Sequence, residues 1–153
     1  FCRNKNIKVN IMLTLSDYPV IHIQAVAWGD MDAFGHVNNV MYYRYMESAR
    51  ILYMDQLNAF EQAVYTVVSS NQCQYIKPVF YPDQLSIGVR VEEMRNSAFR
   101  MSYLLWSKQQ QTVVARGEAV IVCVDKHNML KAALPDPIRQ KVTTLELSVN
   151  HPV

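Results

Sequence analysis

Within the ten positions from Asp30 to Asn39, DMDAFGHVNN, the chain crowds two carboxylates, a glycine, a histidine and two asparagines. Three kinds of chemistry use such a set. Asp30-Met31-Asp32 followed by Gly35 imitates the opening of a calcium loop, but that loop needs oxygen ligands at its fifth and twelfth positions, which here are Phe34 and Met41. One histidine and two acids also fall short of the usual ligand sets of zinc and other transition metals. No metal and no cofactor is therefore assigned. The second use is structural: Gly35 can make a turn, and Asn38 or Asn39 can cap a helix. Capping alone gives Asp32 and His36 no reason to sit together between two apolar stretches. The third use is catalytic. A helix start presents unpaired backbone N–H groups and the positive end of the dipole, and both stabilise an oxygen that gains negative charge. A carboxylate just upstream can act as a general base toward water or attack as a nucleophile. An oxyanion donor contributes roughly 3 to 4 kcal/mol, enough, with a base, for an activated ester. A thioester suits the set, because a thiol with a pKa of about 8.5 leaves as thiolate with little protonation, and no dedicated general acid is evident in the sequence.

The elements that must hold these groups are legible on both sides of them. Residues 20–28, VIHIQAVAW, mix β-branched side chains with partial alternation and read as a strand that runs into the polar cluster. Residues 38–57 contain no Gly or Pro and are rich in helix formers, which gives a helix of about five turns. Arg44, Glu47, Ser48 and Asp55 fall on one narrow side of it, while Tyr42, Tyr43, Met46, Ala49, Leu52 and Tyr53 cover the rest, so the helix is mostly buried. Tyr42, Tyr43, Met46 and Tyr53 can line an acyl tunnel or simply fill the core. Glu47 can stand as a second acid near the site or pair with Arg44 or Arg50. Strand-like segments follow at residues 65–79, 84–92, 98–107 and 112–124, separated by short breakers such as Tyr81-Pro82-Asp83 and Arg95-Asn96-Ser97. Pro135-Asp136-Pro137 then opens a short amphipathic segment with Ile138, Val142 and Leu145 at helical spacing. A strand, one apolar helix and an antiparallel meander bury the helix most economically when the sheet wraps around it, an α+β domain. A sheet covered by helix on one face leaves another face or edge to protect, which calls for self-association.

The bulk composition narrows the function classes. A chain of 153 residues, half of them apolar, supports one sizeable core, here assigned to residues 13–153. Lys and Arg number 15 against 13 acids, and Arg3, Lys5 and Lys8 in the first ten residues leave the rest at 12 against 13. A near-neutral body with no basic stripe argues against a nucleic-acid surface. Residues 1–12 read as a disordered tail or a non-native leader, without the apolar core of a signal peptide. No uninterrupted apolar run is long enough for a membrane span. Cys2, Cys73 and Cys123 show no paired spacing, which favours free thiols and a reducing, cytoplasmic setting.

Asp30-Met31-Asp32, Gly35-His36-Val37-Asn38-Asn39, Tyr42 and Glu47-Ser48-Ala49-Arg50 resemble the signature of the 4-hydroxybenzoyl-CoA thioesterase-like family of hotdog-fold acyl-CoA thioesterases. The likeness continues through Ala115-Arg116-Gly117, Val124-Asp125 and Leu134-Pro135, covering residues 20–141. It implies a hotdog fold, a long helix wrapped by an antiparallel sheet, in dimers that often pair into tetramers with active sites at the subunit interface. It implies that Asp32 is the catalytic carboxylate, that the backbone N–H near Asn39 polarises the thioester carbonyl, and that His36 and Asn38 shape the site. The residues assigned are thus Asp32, His36 and Asn39 for catalysis, with Gly35, Asn38, Tyr42 and Glu47 toward the substrate, an acyl-CoA. His36-Val37-Asn38-Asn39 departs from the ring-specific members and suggests the broader acyl-CoA branch. A hydratase or dehydratase on the same fold, and a non-catalytic module binding acyl-CoA or acyl-carrier protein, are the alternatives.

Overall fold

The computed structural model describes residues 12–153. The leader expected over residues 1–12 lies, apart from the exposed Met12, outside the described residues. Along the chain run strand β1 (Val20–Ala25), the long helix α1 (Asn39–Gln56), strands β2 (Val64–Tyr75), β3 (Gln84–Met94), β4 (Ala98–Ser107) and β5 (Thr112–Asp125), and helix α2 (Asp136–Leu147). The five strands form one antiparallel sheet in the order β1-β3-β4-β5-β2. Sheet and helix make the hotdog arrangement expected of the sequence.

The period of two along each strand decides what faces α1. Leu85, Ile87, Val89 and Val91 on β3, Phe99, Met101, Tyr103 and Leu105 on β4, and Ala119, Ile121 and Cys123 on β5 are all buried in one cluster with Tyr45, Met46, Ala49 and Tyr53 of α1. Each large apolar side chain so buried contributes about 1.5 to 3 kcal/mol. Gly117 lies in the same row, and a Cβ there would collide with the Met46 sulfur and reach 3.1 Å from the Gln72 carbonyl. Glycine is what lets the Met46 thioether rest directly on β5. The opposite face is polar: Arg90 pairs with Glu92 at 2.6 Å, Arg100 with Glu118 at 3.0 Å, and the segment before β1 crosses it, tied by the Arg90 bond to the Asp17 carbonyl.

Two elements end earlier than their side-chain pattern suggests. β1 stops at Ala25, not at residue 28, because Trp28–Asp30 turns into a short 3-10 helix whose Asp30 carboxylate accepts the Ala27 N–H at 3.0 Å. β2 stops at Tyr75, not at 79: the Ile76 and Lys77 N–H groups both converge on the Val114 carbonyl, and Pro78 has no N–H to extend a ladder.

The amphipathic segment at the C-terminus is helix α2. It buries Ile138, Val142 and, unexpectedly, Glu146. β1 accompanies β3 only as far as Val89. Beyond it, the Glu146 carboxylate takes the Val91 N–H at 2.7 Å, and His151 Nε2–H donates to the Val91 carbonyl at 3.0 Å, so the C-terminal segment satisfies the strand edge.

Candidate active site

The cluster that raised the chemical question sits between β1 and α1. Asn38 has extended backbone and caps α1, its Oδ1 accepting the Val40 N–H at 3.1 Å. Gly35 takes φ +84°, a left-handed conformation that a side chain would strain, and its N–H closes a turn on the Asp32 carbonyl at 3.0 Å. The chain thereby doubles back: the Asp32 N–H meets the His36 carbonyl at 3.0 Å, and the Asn38 N–H meets the Asp30 carbonyl at 2.9 Å.

The two acids of the motif have different surroundings. Asp30 accepts the Tyr45 hydroxyl at 2.5 Å besides the Ala27 N–H, so it ties the loop to the second turn of α1. Burial first, and then the neighbouring Asp30 charge, hold the Tyr45 phenol far above its ordinary pKa, which keeps it a donor. Asp32 Oδ1 accepts the Phe34 N–H at 2.8 Å; its other oxygen has no protein donor among the described residues. His36 lies between aromatic rings, stacked on Phe34 at 6.5 Å and edge-on to Phe80 at 6.1 Å.

A cavity of about 370 Å³ opens at the start of α1. Asp32, His36, Val37, Asn39 and Tyr42 line it from the loop and helix, Tyr75 from the end of β2, and Ile76, Lys77 and Pro78 from the connector after it. Among the described residues the Asn39 N–H has no acceptor, as a first-turn amide of a helix should not. The cavity is thus lined by a carboxylate residue, by the residue whose amide is unpaired at the positive end of a helix and by apolar side chains, a set able to hold a carbonyl by its oxygen beside a base. A larger groove of about 460 Å³ lies elsewhere, across the polar face of the sheet, lined from β3, β4, β5 and β2 by Glu92, Ser102, Arg116, Glu118 and Gln72. Its carboxylates Glu92 and Glu118 are already engaged by Arg90 and Arg100, which leaves it without a free base.

Of the residues assigned from sequence, Asp32, His36, Asn39 and Tyr42 are brought together. Gly35 and Asn38 shape the loop and the helix start without lining the cavity. Glu47 is apart from it, paired with Arg44 at 2.7 Å. Met46 and Tyr53 are fully buried core, and Tyr42 is the member of the proposed tunnel set that reaches the cavity. Among the described residues no three His, Cys, Asp or Glu side chains gather at metal-binding spacing. Sequence reasoning missed the far wall, Tyr75 at the end of β2 and residues 76–78 after it, because the β-type composition of 65–79 read as one continuous strand. Pro78 was the one local signal that the ladder ends before it.

Residues 26–142 match the profile of the thioesterase-like superfamily. A coenzyme A- and zinc-bound thioesterase from Thermus thermophilus superposes with a TM-score of 0.76 at 32% identity, over 85% of this chain and 96% of that one. The long-chain acyl-CoA thioesterase FadM of Escherichia coli K12 is 25% identical over 117 residues, 73% of this chain and 88% of that protein. YsmA of Bacillus subtilis 168, an uncharacterized protein, is 35% identical over 82 residues, which span 52% of this chain and 56% of its own length.

Proposed function

Because the chain belongs to the thioesterase-like superfamily, we propose that it hydrolyses an acyl-CoA thioester to a free acid and CoA, with Asp32 as the acting carboxylate. The observation that carries this reading is that Asp32 and Asn39, the residue whose N–H is unpaired at the start of α1, line one cavity. The thioester carbonyl oxygen accepts from the Asn39 N–H, supported by the dipole of α1. In one route Asp32 takes a proton from water as the water oxygen bonds to the carbonyl carbon; collapse of the tetrahedral adduct breaks the C–S bond and expels CoA as thiolate. In the other, the Asp32 oxygen itself attacks, thiolate leaves, and water then cleaves the acyl anhydride. His36 and Tyr42 shape the space around the reacting carbon.

Self-association belongs to the same reading. β2 is an edge strand, and Phe34 (86% exposed), Ile76 and Phe80 present apolar surface beside the cavity. A second copy covering them would close the site from solvent.

The test is Asp32→Asn, which keeps the Oδ1 acceptor for the Phe34 N–H. Thiol release from acyl-CoAs of several chain lengths should fall roughly 100- to 10,000-fold in kcat, the span of a lost general base. A folded variant with undiminished turnover, or a wild type that binds acyl-CoA without releasing thiol, overturns the assignment.

A further inference from the structure

The cavity wall opposite Asp32 holds a phenol that the chemistry above leaves unused. Tyr75, the last residue of β2, donates from Oη to the Asn39 carbonyl at 2.8 Å, and its ring meets Tyr42 edge-on, centroids 4.9 Å apart at 90°. Tyr75 is 44% exposed, so it is poorly explained as core filling. Its hydroxyl reaches back to the first residue of α1 all the same.

What that contact does follows from the peptide planes at the helix start. The plane between Asn39 and Val40 is held at both ends: its C=O by Tyr75 and its N–H by the Asn38 cap at 3.1 Å. On the other side, the Asn38 N–H is held by the Asp30 carbonyl at 2.9 Å. The plane between Asn38 and Asn39 carries the unpaired N–H; its own C=O accepts the Met41 N–H at 2.9 Å, and it is bracketed by these two pinned neighbours. Donors aimed in advance at a developing oxyanion need no reorganisation during reaction, which is the source of their effect.

We propose that Tyr75 is a positioning residue: its hydroxyl fixes the Asn39–Val40 peptide, next to the one that carries the free N–H, so that this N–H faces the reacting carbonyl. The inference rests on the thioesterase reading of the same cavity. It adds a residue from outside the D-x-D-x-x-G-H-V-N-N motif, contributed by a strand end distant in sequence.

The experiment is Tyr75→Phe, which keeps the ring against Tyr42 and the cavity wall and deletes one oxygen. The expected result is a roughly tenfold fall in kcat with KM within about twofold, equal for acyl chains of every length, and a thermal midpoint near wild type. A loss confined to KM, or one that varies with acyl length, assigns Tyr75 to the wall and overturns the proposal; so does an unchanged kcat. Asn39→Pro supplies a second readout. Asn38, at φ −60° and ψ 137°, already has the conformation that precedes proline, and the first helical position tolerates it, so this variant removes the N–H itself. In that background Tyr75→Phe should cost nothing more, since there is no donor left to aim; an equal loss in both backgrounds overturns the proposal. If Asp32→Asn retains activity, the thioesterase assignment of Asp32 fails. If Asp32→Asn is inactive and Tyr75→Phe is unaffected, the positioning role alone fails.

Discussion

Glu146 offers the sharpest quantitative test of how the fold is held. Its side chain is fully buried; Oε1 accepts the Tyr53 hydroxyl at 2.6 Å and the Val91 N–H at 2.7 Å, while Oε2 is buried without a partner. Replacing it with Ala strands two buried donors, each worth about 1 to 3 kcal/mol when left unpaired, and deletes packed methylene. The total is on the order of 3 to 6 kcal/mol, a large share of the 5 to 15 kcal/mol that holds a typical domain. Glu146→Gln keeps the Oε1 acceptor and the volume, so it should recover more than half of that loss. Burial pushes the Glu146 carboxyl above its ordinary value, against the opposing pull of Tyr53, the Val91 amide, His151 and Arg90. A raised acid binds its proton more tightly folded than unfolded. Its contribution is therefore fully present below the unfolded value near 4.5 and is lost as pH rises through the folded value. Urea titrations followed by the fluorescence of Trp28 and Trp106, at fixed protein concentration and a series of pH values, give the stability of wild type and both variants. The wild-type advantage over Glu146→Gln should grow as pH falls toward 4.5 and then level off. An Ala variant within 1 kcal/mol of wild type, or a wild-type minus Gln difference flat with pH, would refute the account.

Two further outcomes follow from features of the sheet. Gly117→Ala should destabilise by about 1 to 3 kcal/mol through overpacking against Met46, seen as a drop of several degrees in Tm, although the same change at an open strand position would be neutral or stabilising. Self-association through the β2 edge and the apolar rim should give a scattering mass of two or four chains, and Phe80→Asp should lower it; a monomer at micromolar concentration would remove that part of the proposal.

How far the sequence reaches depends on whether a feature is local. The helix was legible to within one residue at each end, because Asn38 caps it and the run to residue 57 has no breaker. β3, β4 and β5 were legible because their turns carry Asn, Asp, Ser and Gln at short spacing. Gly35 and the cap were legible as local backbone chemistry. Tyr75 was not, because its contact spans 36 positions, and neither was Glu146, whose partners lie 93 and 55 positions away. On a helical wheel Glu146 is an ordinary acid of a surface helix; only the missing neighbour of β3 beyond Val89 leaves the Val91 N–H to it, and only the packing of α2 on α1 brings it the Tyr53 hydroxyl. Arg50 is a similar case, expected near Glu47 and found buried with its guanidinium on the Tyr103 hydroxyl at 3.1 Å.

The cavity has walls of unequal freedom. Tyr42 is buried in the core, so changes there are felt by the whole domain, whereas Asp32 and Asn39 lie at its surface on the loop and the start of α1. Ile76, Lys77 and Pro78 follow the end of an exposed edge strand and are themselves exposed. These three can therefore be exchanged at small cost in folding, so the cavity can change shape on this side without a matching change in the core.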